Sequence, residues 1–412
     1  MGTEMSADMN AHTRTQTEAP GTHGPLRIGI IGFGARANVA RHVADADTAA
    51  GVVAVCDPAD RGQADARAAF PGAHVTADLD DLLSRVDAVL ITTPDDQHAG
   101  PAIVALNAGV HVFCEKPMGI SIAECDEMLA TAHRTGARLY IGHNMRHMPV
   151  VTGMRDLIRA GRIGTVKAVW CRHFVGNGGD FYFKDWHADR SRATSLLLQK
   201  GAHDLDVIHW LADGYSERIS AVGDLSVYGA ITDRTDRTGQ RMGDWFSVDN
   251  WPPTSQTGLN PVVDVEDISM MLMRLDNGVL ASYQQCHFTP DYWRNYTVIG
   301  TEGRIENLGD GPGDHIAIWD RRHDGYAEPD ELVEIPGGDG GHGGSDPRLI
   351  AEFLRFAAVG GITQTSPIAA RMSVAAGCVA TDSLRGDGSA LPVPPLDRAL
   401  IDYFDRGQPA RS

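Results

Sequence analysis

The six cysteines of this 412-residue chain, Cys56, Cys114, Cys125, Cys171, Cys286 and Cys378, include no CxxC pair. That absence excludes a zinc knuckle and a disulfide framework, and makes a reducing cytoplasm the expected setting. Basic blocks are missing too. With a net charge of −18 and no interleaving of aromatic with basic residues, nucleic acid and anionic membranes are poor partners. No apolar run approaches the about 18–20 residues that a membrane helix requires. Residues 1–24 lack the apolar core of a signal peptide and are expected to form a disordered tail.

What the chain does have is length for two domains with ample core. Near its start an apolar run, Leu26, Ile28, Ile30 and Ile31, breaks into Gly32-Phe33-Gly34-Ala35-Arg36-Ala37 and continues in a helical pattern. Strand, glycine loop and helix in that order suit a nucleotide pyrophosphate. Gly32 allows the tight turn, Gly34 lets backbone N–H groups approach the phosphates, and Ala37 lets the helix pack close to the strand. Asp57 ends a second apolar run, GVVAVCDP, where a carboxylate accepts the adenosine ribose hydroxyls and repels a 2′-phosphate. NAD is therefore expected over NADP, with Arg36 and Arg61 as the residues able to blunt that preference.

From Leu26 to about Ile141, apolar runs (LRIGII, VVAVCD, DAVLITT, VHVFCE, ARLYIG) alternate with helical stretches. Such alternation predicts a doubly wound parallel sheet, an α/β Rossmann domain over residues 25–148. Ser121 followed by Glu124 predicts a capping box for the last of its helices, and Gly136 its end. Beyond Pro149 the apolar runs lose their intervening helices, and Asp276-Asn277-Gly278 is a hairpin signal. Residues 149–395 are thus expected to form an α+β domain with a large, mostly antiparallel, open-faced sheet. Helices such as LLLQKGAHDLDVIHWLA and PRLIAEFLRFAA would pack on one face, leaving the other for a homodimer or homotetramer. Residues 396–412 read as a C-terminal tail. The polar segment 232–260, carrying Trp245 and Trp251, reads as a docked arm, and 337–346 as a glycine-rich bend holding His342.

Glu115-Lys116-Pro117 follows the strand VHVF, and the carboxyl ends of strands in a doubly wound sheet form the ligand crevice. Lys116 would project beside the nicotinamide, where burial and neighbouring charge bring an ammonium towards the working pH. On the expected second-domain helix, Gln199 and His203 stand four apart on one face, with Asp206 placed to orient the imidazole. Asp204 and Lys200, also four apart, read as a surface pair or, for Lys200, as part of the site. Trp186, Asp189, Arg190 and Arg192 are expected to line the substrate side by stacking and forked hydrogen bonds. Seventeen histidines notwithstanding, no metal is expected.

Glu115-Lys116-Pro117, Thr92-Thr93-Pro94 with His98, and a following two-layer domain together resemble the Gfo/Idh/MocA (glucose-fructose oxidoreductase, inositol dehydrogenase, rhizopine catabolism) family, over nearly all of 26–395. The resemblance implies that Lys116 sits at the nicotinamide and substrate, with Thr93, Pro94, His98, Glu115 and Asn144 on the cofactor. Arg146 would lie near the nicotinamide and substrate. The family's second signature, roughly DxGxHxxD, is matched by Gln199 to Asp206. His203 takes the place of the histidine that contacts the reacting hydroxyl and serves as acid or base, so that His203 with Lys116 close by would handle the hydroxyl proton, while Gln199 replaces the first aspartate. Lys200 would fill part of that gap, as in a branch of the family carrying LLxxKxxH. The resemblance implies an NAD-dependent oxidoreductase acting on a secondary alcohol of a sugar, cyclitol or related polyol. A second implied chemistry, kept open by Gln199 and His342, is glycoside cleavage by transient oxidation with retained NAD; a third is a noncatalytic NAD-binding regulator.

Overall fold

The computed structural model describes residues 24–337 and 341–409, without the side chain of His342. The expectations for residues 1–23 and for His342 lie outside the described residues. Six short strands form the first sheet: β1 (Leu26–Ile31), β2 (Ala50–Cys56), β3 (His74–Thr76), β4 (Ala88–Ile91), β5 (His111–Cys114) and β6 (Leu139–Ile141). Their spatial order is β3-β2-β1-β4-β5-β6, with every neighbour parallel. This is the doubly wound order, whose switch point between β1 and β4 opens a crevice at the strands' carboxyl ends. Strand β3 has three residues, too few to show a period. The turn after the glycine loop, Ala35–Val43, winds as a 3-10 helix. Ser121 caps the Ile122–Thr135 helix by accepting from the Glu124 N–H, and Gly136 ends it at φ 75°. The Glu124 carboxylate, however, accepts from the Ile120 N–H, one residue before the cap.

The second sheet holds β7 (Val166–Val175), β8 (Ser216–Asp224), β9 (Ile268–Leu275), β10 (Leu280–Cys286), β11 (Tyr292–Gly300), β12 (Arg304–Leu308), β13 (His315–Trp319), β14 (Glu331–Glu334) and β15 (Leu391–Pro392). In the order β14-β13-β12-β11-β7-β10-β9-β8-β15 all neighbours are antiparallel except β7 and β10. Gly278, at φ 84°, turns the β9–β10 hairpin. Along β9, Met271, Met273 and Leu275 point into the core and Met270, Leu272 and Arg274 point out, the period-2 signature of a sheet covered on one face. The helices Gly201–Ala212 and Pro367–Arg385 cover the inner face. The outer face exposes Trp170, Val222, Met270 and Leu272.

Three placements differ from the sequence pattern. The Gly341–Val359 helix covers the parallel sheet and not the antiparallel one: Leu349, Ile350, Phe353 and Phe356 pack with Ile28, Ile30, Phe113 and Tyr140. Rings of Phe113, Tyr140 and Phe353 lie 5.5–5.7 Å apart, each pair worth about 0.5–1.5 kcal/mol beyond area burial. An apolar stripe announces that a helix is covered and is silent about which sheet covers it. The stretch LLLQKGAHDLDVIHWLA is two helices, Leu196–Gln199 and Gly201–Ala212, meeting at Lys200. Last, 396–409 is docked: Arg398–Asp405 is helical, and the Gln408 amide exchanges both of its hydrogen bonds with the Leu139 backbone, at 2.8 and 2.7 Å, completing the edge of β6.

Candidate active site

The nucleotide end is built where β1 and β2 stop. Gly32 adopts φ 82°, and a Cβ there would lie 2.6 Å from Thr93 Cγ2, so the turn tolerates only glycine. A Cβ at Gly34 would meet no protein atom within 4 Å and would fill the cradle a pyrophosphate needs. Asp57 accepts from the Phe33 N–H at 2.6 Å and the Ala59 N–H at 2.8 Å, which stiffens the loop. One lone pair per oxygen is used in this way, and the others remain for ribose hydroxyls. The residues present therefore fit NAD. Neither arginine offsets this preference: Arg36 is forked onto Asp346 and paired with Glu115, and Arg61 bonds Asp244 and the Gly239 carbonyl.

Lys116 stands after β5, its peptide to Pro117 cis. Its Nζ donates to the Gln199 carbonyl, 3.3 Å away, at the break between the two second-domain helices. Burial, assisted by Lys200 and Arg36, lowers its pKa to about 8 against the pull of Asp95 and Glu115. Both ring nitrogens of His98 face carbonyl oxygens, of Pro117 at 2.7 Å and Thr93 at 3.0 Å, which a doubly protonated ring alone serves. Burial opposes that charge, but Cys114, Asp95 and the Pro117 carbonyl raise the pKa to about 10. His98 thus braces the Lys116 turn against the Thr93 turn.

His203 lies across from Lys116 on the Gly201–Ala212 helix. Burial first, then Lys116, Arg294 and Lys200, push its pKa well down, so the imidazole is neutral; its Nδ1 has no hydrogen-bond partner. Asp206 does not orient it. That carboxylate takes both arms of Arg146, at 2.7 and 2.8 Å. Nor is Asp204 a surface group: fully buried, it accepts from His173 Nδ1 (2.9 Å), Tyr283 and Tyr296, and pairs with Arg294 at 3.0 Å. This stretch of the helix is buried, so Asp204 finds buried partners of its own instead of pairing with Lys200.

Other expected site residues scatter. Arg146, committed to Asp206, the Gln364 carbonyl and the face of Trp210, ties the second-domain helix to the cofactor domain and has no fork left for substrate. Arg190 is exposed and paired with Asp264, away from the crevice. Asn144 donates to Asp346. Trp186 stacks on His187 with ring centres 3.7 Å apart, and Arg192 lies over its face while bridging to Asp96 beside the Thr93-Pro94 turn. The arm of residues 232–260 docks both on the glycine loop and on the short Gly178–Tyr182 helix. Its Arg241 donates to the Phe33 carbonyl of the glycine loop and pairs with Asp65, both at 2.6 Å, while Trp245, Asn250 and Gln256 gather on Asp180.

Sequence reasoning missed Asp95, Asp346, Tyr182, Tyr292 and Arg294. Two of them carried a signal, Asp95 between Thr93-Pro94 and His98, and Tyr182 four residues before Trp186; the others are brought in by the second sheet or the returning helix. Asp95 is buried beside Lys116 with Oδ2 unpaired, and burial raises its carboxyl pKa. Among the described residues no cluster of His, Cys, Asp and Glu could hold a metal ion, and no helix is long and apolar enough to cross a membrane.

Residues 26–143 match the model of the oxidoreductase family with an NAD-binding Rossmann fold, and residues 151–306 that of the GFO/IDH/MocA C-terminal domain. The chain is 30% identical to the 1-carboxy-3-chloro-3,4-dihydroxycyclohexa-1,5-diene dehydrogenase of Comamonas testosteroni over 55% of each chain. It is 31% identical to the inositol 2-dehydrogenase of Salmonella typhimurium over 45% of this chain and 54% of that one. The chain spans about half the length of these curated relatives. A levoglucosan dehydrogenase solved with NADH and levoglucosan shares the fold, with a TM-score of 0.74 and 20% identity over 90% of this chain and 100% of that one.

Proposed function

This chain belongs to the Gfo/Idh/MocA family of oxidoreductases, and we propose that it transfers a hydride between NAD and a secondary hydroxyl or keto group of a sugar, cyclitol or related polyol. One observation carries the reading. Asp95, Gln199 and His203, each with a buried side-chain atom that has no partner among the described residues, surround Lys116 at the carboxyl ends of parallel strands. Unsatisfied buried polar atoms are costly, about 1–3 kcal/mol each, and are retained where a substrate completes them.

NAD, when bound, supplies the hydride acceptor. Lys116, with its pKa of about 8 close to working pH, takes the hydroxyl proton in oxidation and returns it in reduction. Neutral His203 orients that hydroxyl. No carboxylate raises its basicity, because Gln199 replaces one acid of the signature and Asp206 is held by Arg146. Incubation of the protein and NAD+ with a panel of sugars and cyclitols tests the reading by NADH formation. Release of sugar from an aryl glycoside without net NADH would replace it with the retained-NAD hydrolase, and NAD binding without any turnover with a regulator.

The arm of residues 232–260 serves in this reading as a latch on the nucleotide. Arg241→Ala is expected to speed NADH release about tenfold, the equivalent of about 1.4 kcal/mol, in stopped-flow fluorescence; an unchanged rate would remove the latch. The apolar outer face of the second sheet is assigned to subunit pairing. Light scattering should give a dimer or tetramer that Trp170→Glu reduces to a smaller species, and a monomeric wild type would refute this.

A further inference from the structure

Lys200 is a buried cation for which the described residues supply no counter-ion. Only 9% exposed, it sits at the helix break with Nζ 5.5 and 5.6 Å from the ring centres of Tyr182 and Tyr292. Its one hydrogen bond is a long contact, 3.5 Å, to the Tyr292 hydroxyl, and among the described residues it forms no ion pair. The anions nearest to it are Asp204, already taken by His173, Tyr283, Tyr296 and Arg294, and Asp310, which is drawn to Arg294. Arg294 and Lys116 add like charge, and the surrounding imidazoles of His173, His203 and His287 all have lowered pKa values and are neutral. A desolvated ammonium in such company is stabilised only by an anion from outside the chain or by losing its proton.

The anion's location follows from the chain. Lys200 lies close enough to both Lys116 and His203 for its charge to lower their pKa values, which puts its ammonium beside the space of the reacting hydroxyl. We infer that the substrate is an acidic sugar or polyol, and that Lys200 with the Tyr292 hydroxyl receives its carboxylate. One ammonium and one phenol hydroxyl match the two oxygens of a monoanion, whereas a phosphate dianion is served better by a second cationic donor, and Arg294 is committed to Asp204. The two flanking rings add cation–π stabilisation that keeps the ammonium in place before substrate arrives. Burial and Arg294 lower the Lys200 pKa to about 7, so acid binding weakens as pH rises through 7 while neutral-sugar binding does not respond to this group.

The inference rests on the dehydrogenase reading, and the test separates the two. KM and kcat are measured with NAD+ for D-gluconate and D-glucuronate, for D-glucose and myo-inositol, and for D-glucose 6-phosphate, in the wild type, Lys200→Met and Lys200→Arg. Acids should exceed neutral compounds in kcat/KM by about 100-fold, and Lys200→Met should erase that margin through KM while Lys200→Arg keeps most of it. Quenching of bound NADH by D-gluconate gives the same comparison without turnover. If Lys200→Met does not fold, the rise of KM for acids above pH 7 in the wild type, absent for D-glucose, decides. Preference for neutral sugars with Lys200→Met indifferent, or preference for the phosphate, overturns the inference. Acids that bind through Lys200 without being oxidised would uphold the carboxylate subsite at Lys200 and sink the dehydrogenase reading.

Discussion

Lys116→Ala is expected to lower kcat for alcohol oxidation about 10³-fold while NAD affinity stays within about threefold, because the variant deletes a proton carrier and leaves the glycine loop and Asp57 intact. The pH profile distinguishes proton transfer from mere positioning. In the wild type, oxidation needs the amine free, so kcat/KM should climb with pH and level off above about 8; reduction needs the ammonium and should fall across the same range. Lys116→Arg, permanently charged, should lose the climb. A limb well below pH 6.5 would instead name His203 as the base, and a Lys116→Ala variant with near-normal kcat would remove Lys116 from the chemistry.

Asp204→Asn is expected to cost about 3–5 kcal/mol of folding stability, read from urea unfolding, because it strands the buried Arg294 guanidinium. Burial works against the Asp204 charge, yet His173 and Arg294 outweigh it and hold the carboxyl below the usual carboxylate range. A carboxyl whose folded pKa is depressed contributes stability that is present above its unfolded pKa, about 3.9, and lost as pH falls below it. Asp206, depressed against burial by Arg146 and His143, adds to the same acid limb. The wild type should therefore lose stability steeply below about pH 4, and Asp204→Asn should flatten that dependence. A variant as stable as the wild type would show that Asp310 or solvent can replace the pair.

The cofactor half was legible because its determinants are local. A glycine with positive φ, a carboxylate at the end of β2 and a Lys-Pro turn after β5 are each set by a few neighbouring residues, and the alternation of runs implies the parallel sheet that aligns them. Asp206 shows where that logic stops. Helical spacing placed it correctly below His203, but the spacing could not reveal that Arg146, 60 residues earlier, would occupy it. The same holds for Arg190, whose guanidinium chose Asp264 over the crevice. Long charged side chains have many partners within reach, and only the packed chain selects among them.

The sequence by itself determined the two-domain architecture, the strand–glycine–helix cradle with Asp57, and the presence of Lys116 and His203, since hydrophobic period, backbone freedom and residue chemistry are properties of short segments. Only the tertiary structure decided that the Gly341–Val359 helix returns to the parallel sheet, that Asp204 anchors a buried charge cluster, that Arg241 reaches the glycine loop, and that Lys200 stands without a counter-ion among the described residues. Each of these depends on contacts between distant segments, and burial sets their energies by removing the water that would otherwise satisfy every charge.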